Sequence, residues 1–243
     1  MASELAGCKA VVVSLQNGIG NAVILRDALQ AAEVLEGMVP YNVARLAPGH
    51  FHQGSSGQLA VKASPALDPF LGVFAAAGLA LRQRDDMAAV QWAKLLLNLN
   101  NAVNALANLP LKEELSQRAF RRCLALAQAE ALPLLREAGI APAKLTPLPA
   151  GLVPYALSLP DFLFRILGRK MLEIDPLARS SMSDDLSAGH PTEVDWINGE
   201  VVKLAQRLGR SAPINAKLCA LVHEAEQERK NWPARELLES LQY

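Results

Sequence analysis

The stretch MAAVQWAKLLLNLNNAVNALANLPL, residues 87–111, governs the reading of this 243-residue chain, because it is helical in period yet polar in an unusual way. Trp92, Leu95, Leu96, Leu99, Val103 and Leu106 recur at helical spacing and predict a helix over 88–108. Set into it are one charge, Lys94, and five asparagines, Asn98, Asn100, Asn101, Asn104 and Asn108, although asparagine is a poor helix former and lysine is seldom buried. At about 100° per residue Lys94, Asn98 and Asn101 fall on one stripe with the large apolar residues opposite. A lone ammonium in a row of neutral amides is the arrangement of a site that holds and orients a cation. The plain alternative is a solvated surface lysine, but solvated helix faces carry several charges of both signs. On the helix alone the two readings balance.

On either side of this stretch the chain differs in character. Ala10–Leu15 (AVVVSL) is a valine-rich run of the kind buried on both faces of a parallel sheet. Residues 16–21 then turn into a predicted helix over 22–35, giving a strand, loop, helix unit. Residues 37–64 are broken by glycine and predict sheet and turns, followed by a helix over 69–79 and a brief strand near Leu81. After Met87 nearly everything reads as helix: 88–108, 113–138, 157–167, 181–188, 193–208, 213–227 and 234–241. Gly139, Gly189 and Gly209 stand where helices should stop, Pro133 is expected to kink or split the second, and the proline-rich 145–154 is a connector. The predicted fold class is α/β then all-α, with domains at 1–84 and 85–243.

Composition narrows the function. Lysines plus arginines number 24 and aspartates plus glutamates 24, so the basic excess that nucleic acid or an anionic membrane would favour is missing. Cys8, Cys123 and Cys219 are odd in number and widely spaced, which argues for a reducing compartment rather than a disulfide framework. Neither the cysteines nor His50, His52, His190 and His223 have metal-ligand or triad spacing, so no metal is expected. The start MASELAGCKA has no apolar segment behind a basic one, and 88–111 is too rich in asparagine to span a bilayer comfortably, so a cytoplasmic protein is expected.

Two further clusters can carry chemistry. Asn17, Gly18, Gly20 and Asn21 stand between a strand and a helix, where backbone N–H groups can face a ligand at the sheet's carboxyl edge. G18-I-G20-N-A-V lacks the third glycine of the dinucleotide fingerprint, and by itself a tight connection is the better reading. The second cluster is SSMSDDLSAGHPTEVDWING, residues 180–199. Thr192 is the predicted N-cap of the helix bearing Val194, Ile197 and Val201, placing Glu193 in its first turn. Capping and dipole pairing would account for an acid there, but Ser181 and Glu193 flank a helix end that can bring hydroxyl and carboxylate together.

Taken in order, L15-Q-N-G-I-G-N21, W92-A-K-L-L-L-N98 and S181-M-S-D-D-L-S-A-G-H-P-T-E-V-D-W-I-N-G199 resemble ketopantoate reductase, 2-dehydropantoate 2-reductase, and V201-V-K-L-A and R210-S-A-P-I-N215 continue the likeness. The resemblance implies a partial Rossmann-like dinucleotide-binding domain followed by a helical domain similar to that of 6-phosphogluconate dehydrogenase. It implies hydride transfer from NADPH to 2-dehydropantoate, giving pantoate for pantothenate and coenzyme A. It assigns Lys94 and Glu193 to catalysis, Ser181 and Asn98 to substrate, and Asn17, Gly18, Val43 and Glu193 to the cofactor. The implied partners are a small 2-keto acid and a second copy in a homodimer, with no nucleic acid and no membrane.

Two departures qualify it. The family's second asparagine, eight residues after the lysine, is Ala102 here, and Asn101 is expected to bind substrate in its stead. The glycine-rich phosphate loop is not found in the 243 residues. At roughly 30 residues per βαβ unit, some 80 to 100 residues are expected to be missing, with NADPH binding impaired or absent. Reduction of another 2-keto acid, and a non-catalytic remnant associating through a raw sheet edge, are the alternatives.

Overall fold

The computed structural model describes residues 7–41, 43–53, 57–168 and 175–242, so the first residues of the start and parts of the 37–64 segment lie outside the described residues. The chain divides into two units, Met1–Lys94 and Leu95–Tyr243.

In the first unit the valine run forms β1 (Val11–Ser14), followed by α1 (Asn21–Ala28) and β2 (Glu33–Met38), which lies parallel to β1 with Val12 opposite Val34 and Val13 opposite Leu35. The helix predicted to reach residue 35 therefore stops at Ala28. Val34 and Leu35 are a short apolar run that suits either structure, and pairing with β1 settles it. Alternate residues then serve opposite faces: Val34 packs with Ala22 and Leu29, whereas Leu35 packs with Val61 and Leu67. Gly37 is needed where β2 passes the end of β1, since a Cβ there would lie 2.6 Å from Leu15 Cδ2 and 2.9 Å from the Ser14 carbonyl.

Beyond it, β2 pairs antiparallel with β5 (Leu59–Lys62), and β5 pairs parallel with β6 (Leu81–Arg84). The sheet order is β1-β2-β5-β6, and β3 (Val43–Ala47) and β4 (His50–Gln53) form a separate antiparallel hairpin. A short 3-10 turn over Pro65–Leu67, capped by Ser64 Oγ accepting from the Ala66 N–H at 3.1 Å, leads into α2 (Asp68–Ala76). The unit ends inside α3 (Met87–Asn98).

Among its described residues the regular structure of the second unit is all helix. Its innermost element is α4 (Asn100–Ala107), in which Ala102, Val103, Asn104 and Leu106 are completely buried. The helix predicted over 88–108 is thus two, parted by a turn at Leu99 and ended by Asn108 in the left-handed conformation at φ 54.

Next come α5 (Leu111–Ser116) and α6 (Arg118–Glu137), so the predicted 113–138 helix is broken at Gln117, which is extended at φ −97 and ψ 117, and not at Pro133. Pro133 is tolerated because the carbonyl it releases belongs to Ala129, an exposed residue that water can satisfy. The predicted 157–167 helix is α8 (Asp161–Leu167), which starts only after Pro160, and the end of the predicted connector instead forms a further short helix, α7 (Val153–Leu157). Then follow α9 (Ser181–Ala188), α10 (Val194–Arg207), α11 (Pro213–Gln227) and α12 (Ala234–Ser240). Helices α9 and α11 pack on α4, α10 packs on α11, and α7 and α12 pack on α6. The order is α/β then all-α, as the sequence predicts.

Candidate active site

In the first unit, Asn17 and Gly18 occupy the loop at the carboxyl end of β1. Gly18 and Gly20 have φ of 85° and 92°, a region that strains any side chain-bearing residue. Asn21 Nδ2 donates to the Asn17 carbonyl at 2.7 Å and closes the loop, and Gly20 begins α1 without a side-chain cap. Val43 opens β3 with its side chain exposed. Lys94 is half-buried on α3, and burial lowers the pKa of its ammonium. No ion pair to it is found among the described residues. Asn98, one turn further on, is also half-buried.

In the second unit the asparagines separate into two kinds that their spacing does not distinguish. Asn101 is half-buried, whereas Asn100 and Asn104 are buried and donate from Nδ2 to Glu114 Oε2 at 3.2 and 2.8 Å. Asn108 is a helix cap whose Oδ1 accepts from Arg179 Nη1 and Arg229 Nη2, both at 2.8 Å. Ser181 is exposed at the first position of α9. It is carried beside α4 by its neighbour: the Ser180 N–H donates to Asn104 Oδ1 at 2.9 Å, and Ser180 Oγ donates to the Asn101 carbonyl at 3.4 Å. Asn101 and Ser181 are thereby brought to one helix pair.

Glu193 is half-buried at the N-cap of α10, one position earlier than predicted. Thr192, the predicted cap, makes only a 3.4 Å contact from the Val194 N–H to its Oγ1, and its own N–H donates to Glu226 Oε1 at 2.7 Å. Glu226 Oε2 in turn accepts from His223 Nδ1 at 2.9 Å, and His223 Nε2 lies 3.1 Å from Asp195 Oδ1. Hydrogen bonding to Glu226 raises the pKa of His223. Asp185, on α9, has its carboxyl pushed up by burial and then by the charge of Glu193, so the acid stands near the end of the helix that Ser181 begins.

The residues that sequence reasoning passed over are Glu114, Asn104 and Ser180. Their signals were present but local: the Leu-Pro preceding Leu111 starts a new helix in which Glu114 falls in the first turn. Among the described residues no cluster of three or more His, Cys, Asp or Glu is placed to hold a metal, and no helix is long and apolar enough to cross a membrane.

A small mixed sheet with flanking helices, followed by a helical unit whose inner helix carries amides beside a serine-bearing helix, defines a class of two-unit α/β then all-α proteins. Within it the chain belongs to the ketopantoate reductase family: the model described as ketopantoate reductase PanE/ApbA C terminal matches residues 86–226, and that described as ketopantoate reductase PanE/ApbA matches residues 2–66. It is accordingly an oxidoreductase of the ketopantoate reductase type.

A 2-dehydropantoate 2-reductase of Caulobacter vibrioides is 27% identical over 228 residues, which are 91% of this chain and 70% of that one. The crystal structure of a PanE/ApbA family ketopantoate reductase from Ralstonia eutropha matches with a TM-score of 0.73 at 29% identity, over 90% of this chain and 67% of that one. D-mandelate dehydrogenase, in a ternary structure with NADH and anilino(oxo)acetate, shares the fold with a TM-score of 0.72 at 20% identity, over 90% of this chain and 68% of that one.

Proposed function

We propose that the protein reduces 2-dehydropantoate to pantoate with NADPH, as a step toward pantothenate and coenzyme A in the cytoplasm, and that Lys94 gives the proton. The observation that carries this is a half-buried ammonium whose pKa burial lowers, one helical turn from Asn98. As hydride reaches a ketone carbon, negative charge grows on the carbonyl oxygen, and a cation able to release a proton stabilises it most there. Lowering the pKa makes that release easier. NADPH supplies the hydride when bound.

The other roles follow the family likeness. Asn98 and Ser181 hold the polar ends of the substrate, with Asn101 standing in for the family asparagine that is Ala102 here. Glu193 accepts from its hydroxyl and favours the charged form of Lys94. Asn17 and Gly18, in a loop whose φ of 85° at Gly18 keeps side chains away, and the backbone at Val43 take the cofactor. In this reading residues 1–84 are the part of a Rossmann-like domain that this chain supplies, residues 85–243 are the substrate domain, and two copies associate as a homodimer.

The test is titration with NADPH followed by addition of 2-dehydropantoate. Saturable binding and formation of pantoate are expected. A folded protein that neither binds NADPH nor forms pantoate would overturn autonomous catalysis and favour association as its role. A second reading, reduction of a different 2-keto acid, is favoured by Ala102, which is fully buried where the family has an asparagine. Faster turnover of a bulkier keto acid than of 2-dehydropantoate would select it. If Asn101 substitutes for that asparagine, Asn101→Ala raises the Michaelis constant by about ten-fold with little change in turnover, the loss of one hydrogen bond to a charged or polar group. Unchanged kinetics would remove Asn101 from the site.

A further inference from the structure

Glu114 is completely buried and, among the described residues, meets no cation. Its Oε2 accepts from Asn100 Nδ2 at 3.2 Å and Asn104 Nδ2 at 2.8 Å. Its Oε1 is buried without a hydrogen-bond partner, and so is Asn100 Oδ1. The orientation of the Asn104 amide is dictated from outside. Its Nδ2 also donates to the Leu109 carbonyl at 2.9 Å and its Oδ1 accepts the Ser180 N–H at 2.9 Å, and a backbone carbonyl and a backbone N–H cannot exchange roles. Oε2 must therefore accept, so any proton on this carboxyl sits on Oε1. Glu114 and Asn100 each carry an orphan acceptor beside the hydrogen bond they share, and a proton on Oε1 is the donor that the pair lacks.

We propose that Glu114 is a neutral carboxylic acid that donates from Oε1 to Asn100 Oδ1 and, through Asn104, positions the start of α9 and with it Ser181. This rests on the assignment of Ser181 to the substrate. The line of action is short: Glu114 Oε2 to Asn104 Nδ2, Asn104 Oδ1 to the Ser180 N–H, and Ser180 Oγ, which accepts the Ser183 N–H at 3.2 Å, as the N-cap of α9. The acid is thus a positioning residue and touches no reactant.

Its surroundings agree. Burial pushes the Glu114 carboxyl up to about 8, with the amide hydrogen bonds acting the other way. From α4 no charged residue faces it. From α6 comes Cys123, whose thiol burial pushes up to about 12, while Arg121 spends its guanidinium on the carbonyls of Leu115, Leu157 and Leu159. From the chain before α9, Arg179 is taken by Asn108 and Ser183. At neutral pH the buried acid is mostly protonated, and alkali would place an uncompensated negative charge beneath α9.

The sign of the pH effect follows. A carboxyl whose folded pKa is raised from its ordinary 4.5 to about 8 contributes stability that is fully present below 4.5 and is lost as pH rises toward 8. Glu114→Gln cannot titrate, yet it keeps the acceptor for Asn104 and supplies an N–H toward Asn100 Oδ1. Its thermal midpoint relative to wild type is expected to climb across that window. Infrared difference spectra of wild type minus Glu114→Gln at neutral pH are expected to contain the carbonyl stretch of a protonated acid.

In kinetics, Glu114→Gln is expected to keep the Michaelis constant for the keto acid, whereas Glu114→Leu raises it roughly ten-fold at similar turnover, the cost of a mispositioned hydrogen bond. Ser181→Ala is the control: if it leaves the Michaelis constant unchanged, the substrate reading has failed, and the infrared band still decides the protonation of Glu114. If Ser181→Ala raises the constant but the acid band is absent, or Glu114→Gln behaves as Glu114→Leu, the inference about Glu114 is overturned alone. Should Glu114→Leu fail to fold, the glutamine variant and the spectra decide.

Discussion

Lys94→Met is expected to lower turnover of 2-dehydropantoate by about 10²- to 10⁴-fold, the range over which a positioned proton donor contributes. Methionine keeps the length and much of the apolar stem, so packing around α3 is disturbed little, while the transferable proton and the charge both vanish. Steady-state rates with NADPH saturating, or at its highest attainable occupancy, measure the effect, and near-normal turnover would defeat the proton-donor assignment. Stability should move the other way. Burial lowers the folded pKa of Lys94 from its ordinary 10.5, so the folded state bears the cost of the charged ammonium at neutral pH and sheds it as pH rises past the folded value toward 10.5. The methionine variant should therefore melt higher than wild type at neutral pH, with the gap closing toward pH 10.5. A variant that is slower and also less stable would mean that Lys94 serves the fold.

Arg121→Ala is expected to cost about 3–5 kcal/mol, the range for removing one partner of a buried charged cluster. The side chain is completely buried, and its three nitrogens donate to the carbonyls of Leu157 at 3.0 Å, Leu115 at 3.0 Å and Leu159 at 2.7 Å. Those carbonyls end α5 and α7, so one guanidinium satisfies helix ends that have no partner within their own helices. Asp161 Oδ1 stands 3.0 Å from Nη2 as an ion pair without hydrogen-bond alignment, and the Phe164 ring lies 4.0 Å from the guanidinium carbon. Alanine would leave buried carbonyls unsatisfied and a cavity among them. Arg121→Lys should recover little, since one ammonium does not reproduce a planar fork. Chemical denaturation measures both, and a loss below about 1 kcal/mol would show that water replaces the guanidinium.

Much of the architecture was legible in the order of residues because it is local. The valine run of β1, the glycine stop after α9 and the amphipathic spacing of α10 and α11 each impose their structure within a few residues. The three motifs that carry the family likeness could be placed on a loop, a helix and a helix start for the same reason. Where the reading went astray, a neighbour decided. Val34 and Leu35 became strand because β1 lay ready to pair with them, and Thr192 is held from outside the helix by Glu226, far along the chain, while Glu193 takes the N-cap position of α10. Pro133 stayed within α6, where the carbonyl it frees belongs to an exposed residue, Ala129.

The candidate site divides in the same way. Residue identity alone marked Lys94 as the solitary charge of its stretch, and spacing alone set Asn98 a turn beyond it. No pattern could say that Asn101 is half-buried while Asn100 and Asn104 lie inside, or that Glu114 is the acid they enclose. The sequence by itself determined the succession of an α/β unit and a helical one, since periodicity and breakers act over a few bonds. Only the tertiary structure decided which polar groups stay accessible and which are buried and brace a neighbouring helix, because burial and hydrogen-bond partners come from segments as distant as Asn104 and Ser180.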